Sequence, residues 1–177
     1  MDPEKLSKEE RKSFKVQRRL EKEQNVFLKN NKQLLTNDNK NILCVRFGQK
    51  YSRDYVIRLR NMIERNTSVP YQLFCLTDDP TPIEGVKLIV QKNAGYTKGW
   101  WHKVHMFDPS LPIMGRILYM DLDVVICKSI DKLINIHNND FLGIRDFNRK
   151  FQPTWKYLNS SVMSWVHGTQ KHIYDHF

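Results

Sequence analysis

The most informative segment of the sequence is Ile117-Leu118-Tyr119-Met120-Asp121-Leu122-Asp123-Val124-Val125-Ile126, in which two carboxylates follow a run of apolar residues. The apolar run predicts a buried strand, so Asp121 and Asp123 would stand at its carboxyl end. Two carboxylates this close repel each other and resist burial unless a cation or hydrogen-bond donors lie between them. Oxygen ligands of this kind suit Mg²⁺ or Mn²⁺. The alternative is a pair of exposed loop acids or a helix cap.

On both sides of this segment, apolar runs of strand length alternate with helical patterns. This alternation predicts an α/β fold with an open sheet flanked by helices, and a ligand crevice beyond the carboxyl ends of its strands. Ser52 is expected to cap the first helix. The predicted strands cover residues 42–47, 71–76, 86–90, 116–120, 124–127, 140–144 and 161–166, and the predicted helices cover residues 53–65, 101–107 and 130–134.

Polar residues follow several of the predicted strands, and we expect them to line the crevice. Lys103 would reach it as a point charge for a diphosphate. Trp100 and Trp101, just before it, pack either in the core or in the crevice. The amide and hydroxyls of residues 159–161 suit sugar hydroxyls, although a turn cap uses the same residue types. The strand-end candidates are Gly48, Tyr51, Thr77, Asp78, Asp121, Asp123 and Asp146.

The first 40 residues differ in kind from the rest, because they are rich in charge and contain no glycine. They read as a charged helical or disordered extension, followed by one domain over residues 41–177. The chain of 177 residues carries a net charge of +10. We expect neither nucleic-acid binding nor more than a weak contact of the basic N-terminal helix with a membrane surface, because acids alternate with the bases.

Localisation is expected to be cytoplasmic, because the sequence has no apolar stretch of bilayer length and no apolar core of a signal peptide near its start. The cysteines Cys44, Cys75 and Cys127 each lie in an apolar run without CxxC spacing. They are expected to be buried free thiols.

The blocks named above occur in the order that one enzyme group uses. From residue 41 onward the chain resembles nucleotide-sugar-dependent glycosyltransferases of the GT-A fold, similar to the glycogenin and galactosyltransferase group (glycosyltransferase family 8-like). The resemblance rests on five blocks: residues 45–51, residues 74–80, Trp101-His102-Lys103, the Asp121-Leu122-Asp123 strand, and residues 142–147 followed by 159–163.

The resemblance implies a metal-dependent transferase that moves a hexose from a nucleotide-diphosphate sugar, a UDP-sugar being the expected donor, to a glycan, lipid or protein acceptor. Asp121 and Asp123 would hold Mn²⁺ or Mg²⁺, and Lys103 would assist the leaving diphosphate or the donor sugar. Other residues would contact the nucleotide and the sugars. Arg46, Phe47, Gly48, Tyr51, Thr77 and Asp78 would form the nucleotide side, and Asp146 and Asn159 would contact the donor sugar or acceptor hydroxyls.

One departure concerns the C-terminal part, where the group takes a further metal-ligating histidine from well downstream of the residue 159–163 block. Here His167, His172 and His176 lie too near that block to replace it. The domain is therefore expected to be truncated at its C-terminus. Two rival functions stay open: a non-catalytic nucleotide-sugar-binding module, and a haloacid-dehalogenase-like phosphatase whose first aspartate is the nucleophile.

Overall fold

A computed structural model describes residues 40–91, 97–137 and 140–177, together with Lys15 and Lys22. Six strands form one mixed sheet in the order β3-β2-β1-β4-β6-β5. The strands are β1 (Asn41–Arg46), β2 (Gln72–Thr77), β3 (Val86–Val90), β4 (Arg116–Met120), β5 (Leu142–Arg145) and β6 (Leu158–Val166).

The sheet is parallel on one side and antiparallel on the other. β1 pairs in parallel with both β2 and β4, and β2 pairs in parallel with β3. β6 runs antiparallel between β4 and β5. The carboxyl ends of β1, β2, β4 and β5 therefore meet the start of β6 at one edge of the sheet, called here the carboxyl edge.

Between residues 40 and 177, the described part of the chain forms five short or medium helices beside the sheet. α1 (Arg53–Asn66) is the long one, and α2 (Asp131–Ile134) and α3 (Lys171–Asp175) are single turns. Gly99–Phe107 and Phe147–Lys150 are 3₁₀ helices. The predicted α/β class and most element positions are confirmed, with boundaries that move by one to three residues.

The strands bury side chains on both faces because apolar residues occupy consecutive positions along β1. On one face Ile42 and Cys44 pack with the α1 residues Val56, Leu59 and Ile63. On the other face Leu43 packs with a second set of buried residues, which consists of Phe74, Leu76, Met106, Phe107, Leu111, Ile113, Ile117, Tyr119, Met163 and Trp165.

Asn41, the first residue of β1, is a buried polar residue that bridges two distant parts of the chain. Its side-chain amide donates to the carbonyl oxygens of Met114 at 2.7 Å and Arg116 at 3.1 Å. Both acceptors flank the start of β4. A side-chain contact at the amino end of the sheet thus ties β1 to the strand that carries the two aspartates.

Some sequence predictions are wrong. Residues 124–127 form no strand, because a turn from Asp121 to Val124 carries the chain away from the sheet. Cys127 is consequently exposed, whereas Cys44 and Cys75 are buried as predicted. Ser52 occupies the N-cap position of α1, but its hydroxyl donates to the Asp54 carboxylate and makes no cap hydrogen bond.

The predicted helix within residues 1–40 lies almost wholly outside the described residues. In the part of the chain that the structure describes, no helix is both long and apolar enough to cross a bilayer.

Candidate functional site

A cleft of about 440 Å³ opens at the carboxyl edge of the sheet, between the ends of β1 and β4 and the 3₁₀ helix Gly99–Phe107. This is where open α/β sheets bind ligands. Several of the predicted site residues line this cleft. The walls include Phe47, Lys50, Tyr51, Trp100, His102, Lys103, Tyr119, Asp121 and Asp123.

Asp121 is the first residue after β4, and its backbone amide continues the sheet by donating to the Ser161 carbonyl oxygen at 2.8 Å. Its carboxylate holds the ammonium group of Lys103, with Nζ 2.7 Å from Oδ1 and 2.8 Å from Oδ2. Lys103 Nζ also lies 3.5 Å from the hydroxyl of Ser160. Lys103 thus lies in the same cleft as the two aspartates, and its expected contact with a diphosphate stays a prediction.

The buried Tyr119 hydroxyl donates a hydrogen bond to Oδ1 of Asp121. Burial, together with the neighbouring carboxylate, raises the pKa of Tyr119 far above its ordinary value. The phenol therefore stays protonated and acts as a fixed donor. Asp121 is held on one side by a cation and on another by a neutral hydroxyl.

Asp123 lies two residues further on, in the turn, and is exposed. Its Oδ2 accepts a 2.8 Å hydrogen bond from the hydroxyl of Tyr51. That hydrogen bond is the main reason why the pKa of Tyr51 is raised. The Tyr51 ring packs edge-on against Tyr55 with centroids 4.9 Å apart, and Lys50 Nζ lies 5.0 Å from the Tyr51 ring centroid.

Two further rings, those of Phe47 and His102, line the cleft. Phe47 stacks on His102, with ring centroids 4.6 Å apart. Thr97 Oγ1 lies 2.8 Å from Nδ1 of His102 and 3.0 Å from Nε2 of His105, so one hydroxyl fixes two rings. Burial and the nearby His105 lower the pKa of His102. His102 therefore presents a neutral ring to the cleft at pH 7.

The remaining nucleotide-side candidates brace the loop after β1. Arg46 donates to the Tyr51 carbonyl oxygen at 3.0 Å and pairs with Asp79 at 3.0 Å. The Gly48 amide donates to Asp78 at 3.0 Å, and the Asp79 amide donates to the Thr77 hydroxyl at 3.1 Å. Hydrogen bonds from Thr81, and then the charge of Arg46, lower the pKa of Asp79.

Gly48 has a φ of +66°, and a Cβ built on it would have no neighbour within 4 Å. The backbone angle, rather than a lack of space, therefore favours glycine at this position.

Asp146 and Asn159 flank the β5–β6 side of the same edge but are not among the described residues that line the cleft. Asp146 Oδ1 accepts from the Asn148 amide and caps the following 3₁₀ helix. Asn159 Oδ1 accepts from the Ser161 amide at 2.9 Å, which is the turn-cap contact that the sequence left as an alternative. The second contact fixes the backbone of Ser161, whose carbonyl oxygen accepts the hydrogen bond from the Asp121 amide.

Sequence reasoning did not select Tyr119 or His102 as site residues. Tyr119 was detectable, because side chains two positions apart on a strand point to the same face, so Tyr119 and Asp121 are neighbours. His102 offered no local signal, because its contact with Phe47 joins segments distant in sequence. Among the C-terminal histidines, His167 lies at the opposite end of β6, where its Nε2 is 3.2 Å from the Pro109 carbonyl oxygen.

The described residues include no group of three or more His, Cys, Asp or Glu side chains that would form a metal cage. Mg²⁺ and Mn²⁺ can also be bound by one or two carboxylates and completed by substrate phosphates and water. Both oxygens of Asp121 contact Lys103 Nζ, so a cation at Asp121 would compete with that ammonium group. Asp123 is exposed, and the Tyr51 hydroxyl donates to its Oδ2. A cation at Asp123 would bind the other carboxylate oxygen, Oδ1.

Comparisons with known proteins bear on the fold. No family model matches the chain, and no curated protein sequence matches it significantly. Among solved structures it is similar to the apo form of the glycosyltransferase GlyE of Streptococcus pneumoniae TIGR4, with a TM-score of 0.53 and 14% sequence identity. The match covers 76% of this chain and 35% of that protein, so the chain spans about a third of its length. The likeness shows that the two proteins share a fold and does not single out the glycogenin group.

Proposed function

We propose that the chain is a metal-dependent glycosyltransferase domain that transfers a hexose from a nucleotide-diphosphate sugar to an acceptor hydroxyl. The observation that carries the proposal is the convergence of Asp121, Asp123, Lys103 and Tyr51 in one cleft at the carboxyl edge of a GT-A-type sheet. The cleft contains both signs of charge, which suits a diphosphate bound through a cation and through a lysine.

Each wall of the cleft fits one part of such a donor. The rings of Phe47 and Tyr51 offer flat surfaces to a nucleoside, and Lys50 stands beside them. Asp121 and Asp123 would hold Mn²⁺ or Mg²⁺, which supplies Lewis-acid stabilisation of the charge on the departing diphosphate. Lys103, which pairs with Asp121 in the structure, would interact with the same charge when the donor binds.

In the proposed reaction the bond between the anomeric carbon and the diphosphate oxygen breaks, and the acceptor oxygen bonds to that carbon. The acceptor proton leaves to solvent or to a nearby base. Fixed positioning supports this chemistry, because Lys103, Asp121 and Tyr119 restrain one another through hydrogen bonds. A UDP-sugar is the expected donor.

A thermal-shift series tests the proposal, because a ligand that binds only the folded protein raises its melting temperature. UDP, GDP and the corresponding sugar nucleotides are added with and without Mn²⁺ to the wild type, to Asp123→Asn and to a charge-matched control, Asp175→Asn. We expect a Mn²⁺-dependent shift with one nucleotide in the wild type and the control, and a loss of that shift in Asp123→Asn.

Turnover assays separate the rivals. Release of the nucleoside diphosphate from the sugar nucleotide supports transfer, whereas binding without release favours the binding module. Metal-dependent hydrolysis of p-nitrophenyl phosphate that is lost in Asp121→Asn favours the phosphatase. No shift with any nucleotide in folded protein would contradict the proposal.

A further inference from the structure

The exposed aromatic side chains of the described residues are not spread evenly over the surface. Trp100, Phe151 and Tyr157 have 76%, 79% and 69% of their surface exposed. Single exposed apolar residues are ordinary, whereas several that lie together mark an interaction surface. The full set consists of Trp100, Trp101, Phe147, Phe151, Tyr157 and Phe177.

The topology places this set at the carboxyl edge. Residues 146–157, called here the β5–β6 connector, leave the carboxyl end of β5 and enter the start of β6, whose Val162 pairs with Met120 at the end of β4. Trp100 lines the cleft at that edge. Phe177 packs beside Trp101 with ring centroids 5.1 Å apart. The connector and Trp100 thus lie at the same edge of the sheet as the cleft.

The connector also concentrates positive charge. Arg149, Lys150 and Lys156 are exposed within it, and Arg145 is exposed directly before it. Its single acid, Asp146, uses one carboxylate oxygen to cap the 3₁₀ helix. The net charge of residues 145–157 is therefore strongly positive, in line with the +10 of the whole chain.

We propose that this basic aromatic surface, formed by Phe147, Arg149, Lys150, Phe151, Lys156 and Tyr157, adsorbs to an anionic phospholipid membrane with the cleft mouth facing the lipid. Aromatic side chains favour the membrane interface, and lysine and arginine keep their charges among the headgroups. Bases near an anionic surface contribute an attraction that falls off within a Debye length.

Lipid fits the surface better than nucleic acid or protein does. Ile144 and Leu158, exposed at the two ends of the connector, add aliphatic area beside the rings. A membrane interface takes up aliphatic side chains as well as rings, whereas a single-stranded nucleic acid stacks only on the rings. On the proposed surface, aromatic side chains alternate with lysine and arginine. The cores of protein–protein interfaces, in contrast, are depleted of lysine. The complementary partner is therefore a negatively charged surface with an apolar interior, which describes an anionic phospholipid membrane.

Vesicle flotation with the full chain tests the proposal, and it needs no nucleotide. Phosphatidylcholine vesicles with and without 30% phosphatidylglycerol are compared at physiological salt. Two variants change the surface: Arg149→Glu with Lys150→Glu, and Phe147→Ser with Phe151→Ser. The charge-matched control is Lys40→Glu with Lys87→Glu, because those bases line a groove at the opposite edge.

We expect the wild type and the control to float with anionic vesicles, and each connector variant to lose at least about ten-fold in partitioning. Wild-type binding that both connector variants retain would overturn the proposal. It would also be overturned if the wild type failed to float with anionic vesicles. In that case, a loss of salt-sensitive binding to oligo(dT) or of a concentration-dependent dimer in the connector variants would identify nucleic acid or protein as the partner instead. Because the variants leave the cleft aspartates intact, nucleotide binding reports separately on the proposed function.

Discussion

The hydroxyl of Tyr51 donates a 2.8 Å hydrogen bond to Oδ2 of Asp123, and so links the loop after β1 to the turn after β4. Partners of this kind orient carboxylate ligands of a metal. Tyr51→Phe keeps the ring and removes this bond. We expect it to weaken Mn²⁺ binding in the presence of UDP by about ten-fold, measured by isothermal titration calorimetry.

Tyr55→Phe is the matched control for that experiment, because Tyr55 packs against Tyr51 but lies on α1. Equal Mn²⁺ affinities for Tyr51→Phe and the wild type would show that the hydrogen bond does not position Asp123.

Lys103 holds both oxygens of the Asp121 carboxylate. Lys103→Met removes the charge while keeping a similar length. Because hydrogen bonds to charged groups contribute ~1.5–3 kcal/mol, we expect nucleoside diphosphate affinity to fall by about ten- to hundred-fold. Calorimetry measures the change. Lys98→Met, an exposed lysine five residues earlier, should leave affinity at the wild-type value, and a similar loss in both variants would contradict a specific role for Lys103.

Leu59 is fully buried where α1 packs on the sheet. Leu59→Ala removes apolar contacts and leaves a cavity, so we expect the free energy of unfolding to fall by about 2–5 kcal/mol. Urea denaturation followed by circular dichroism measures it. Glu64→Ala, on the exposed face of the same helix, should change it by less than about 0.5 kcal/mol. A small loss in Leu59→Ala would mean that α1 does not pack as described.

His167 is buried, and burial lowers its pKa below the ordinary 6.5. In the unfolded chain the imidazole of His167 is protonated near pH 6.5, whereas in the folded chain it is protonated only at a lower pH. We expect the free energy of unfolding to fall as pH drops below about 6.5, and His167→Gln to reduce that dependence. Denaturation at several pH values between 8 and 5 gives the slopes. His137→Gln, at an exposed position, should keep the wild-type slope.

The sequence was sufficient to predict those features that depend on local periodicity. Apolar runs located the strands, and the position of Asp121 and Asp123 after β4 placed the candidate site at the carboxyl edge. Lys103 was expected in the same crevice, and in the structure its ammonium group contacts the carboxylate of Asp121. These features follow from the apolar pattern of the strand before Asp121 and from the rule that ligands bind at the carboxyl ends of parallel strands.

Features that depend on long-range packing were not predictable. The helix predicted over residues 101–107 is a 3₁₀ helix, Gly99–Phe107, a form that the sequence pattern did not specify. Thr97 Oγ1 contacts two of its histidines, His102 and His105. The sequence left Trp100 and Trp101 between core and crevice, and both are exposed. Apolar content alone does not say which side of a short helix faces the core.

The side-chain amide of Asn41 has a consequence for strand alignment. β1 and β4 share only three paired positions, from Asn41 opposite Ile117 to Leu43 opposite Tyr119. A slip of one residue would turn every side chain of β4 to the opposite face. By holding the carbonyl oxygens of Met114 and Arg116, Asn41 favours one alignment. The side of the sheet on which the carboxylate of Asp121 emerges is thus set from the far end of the strand.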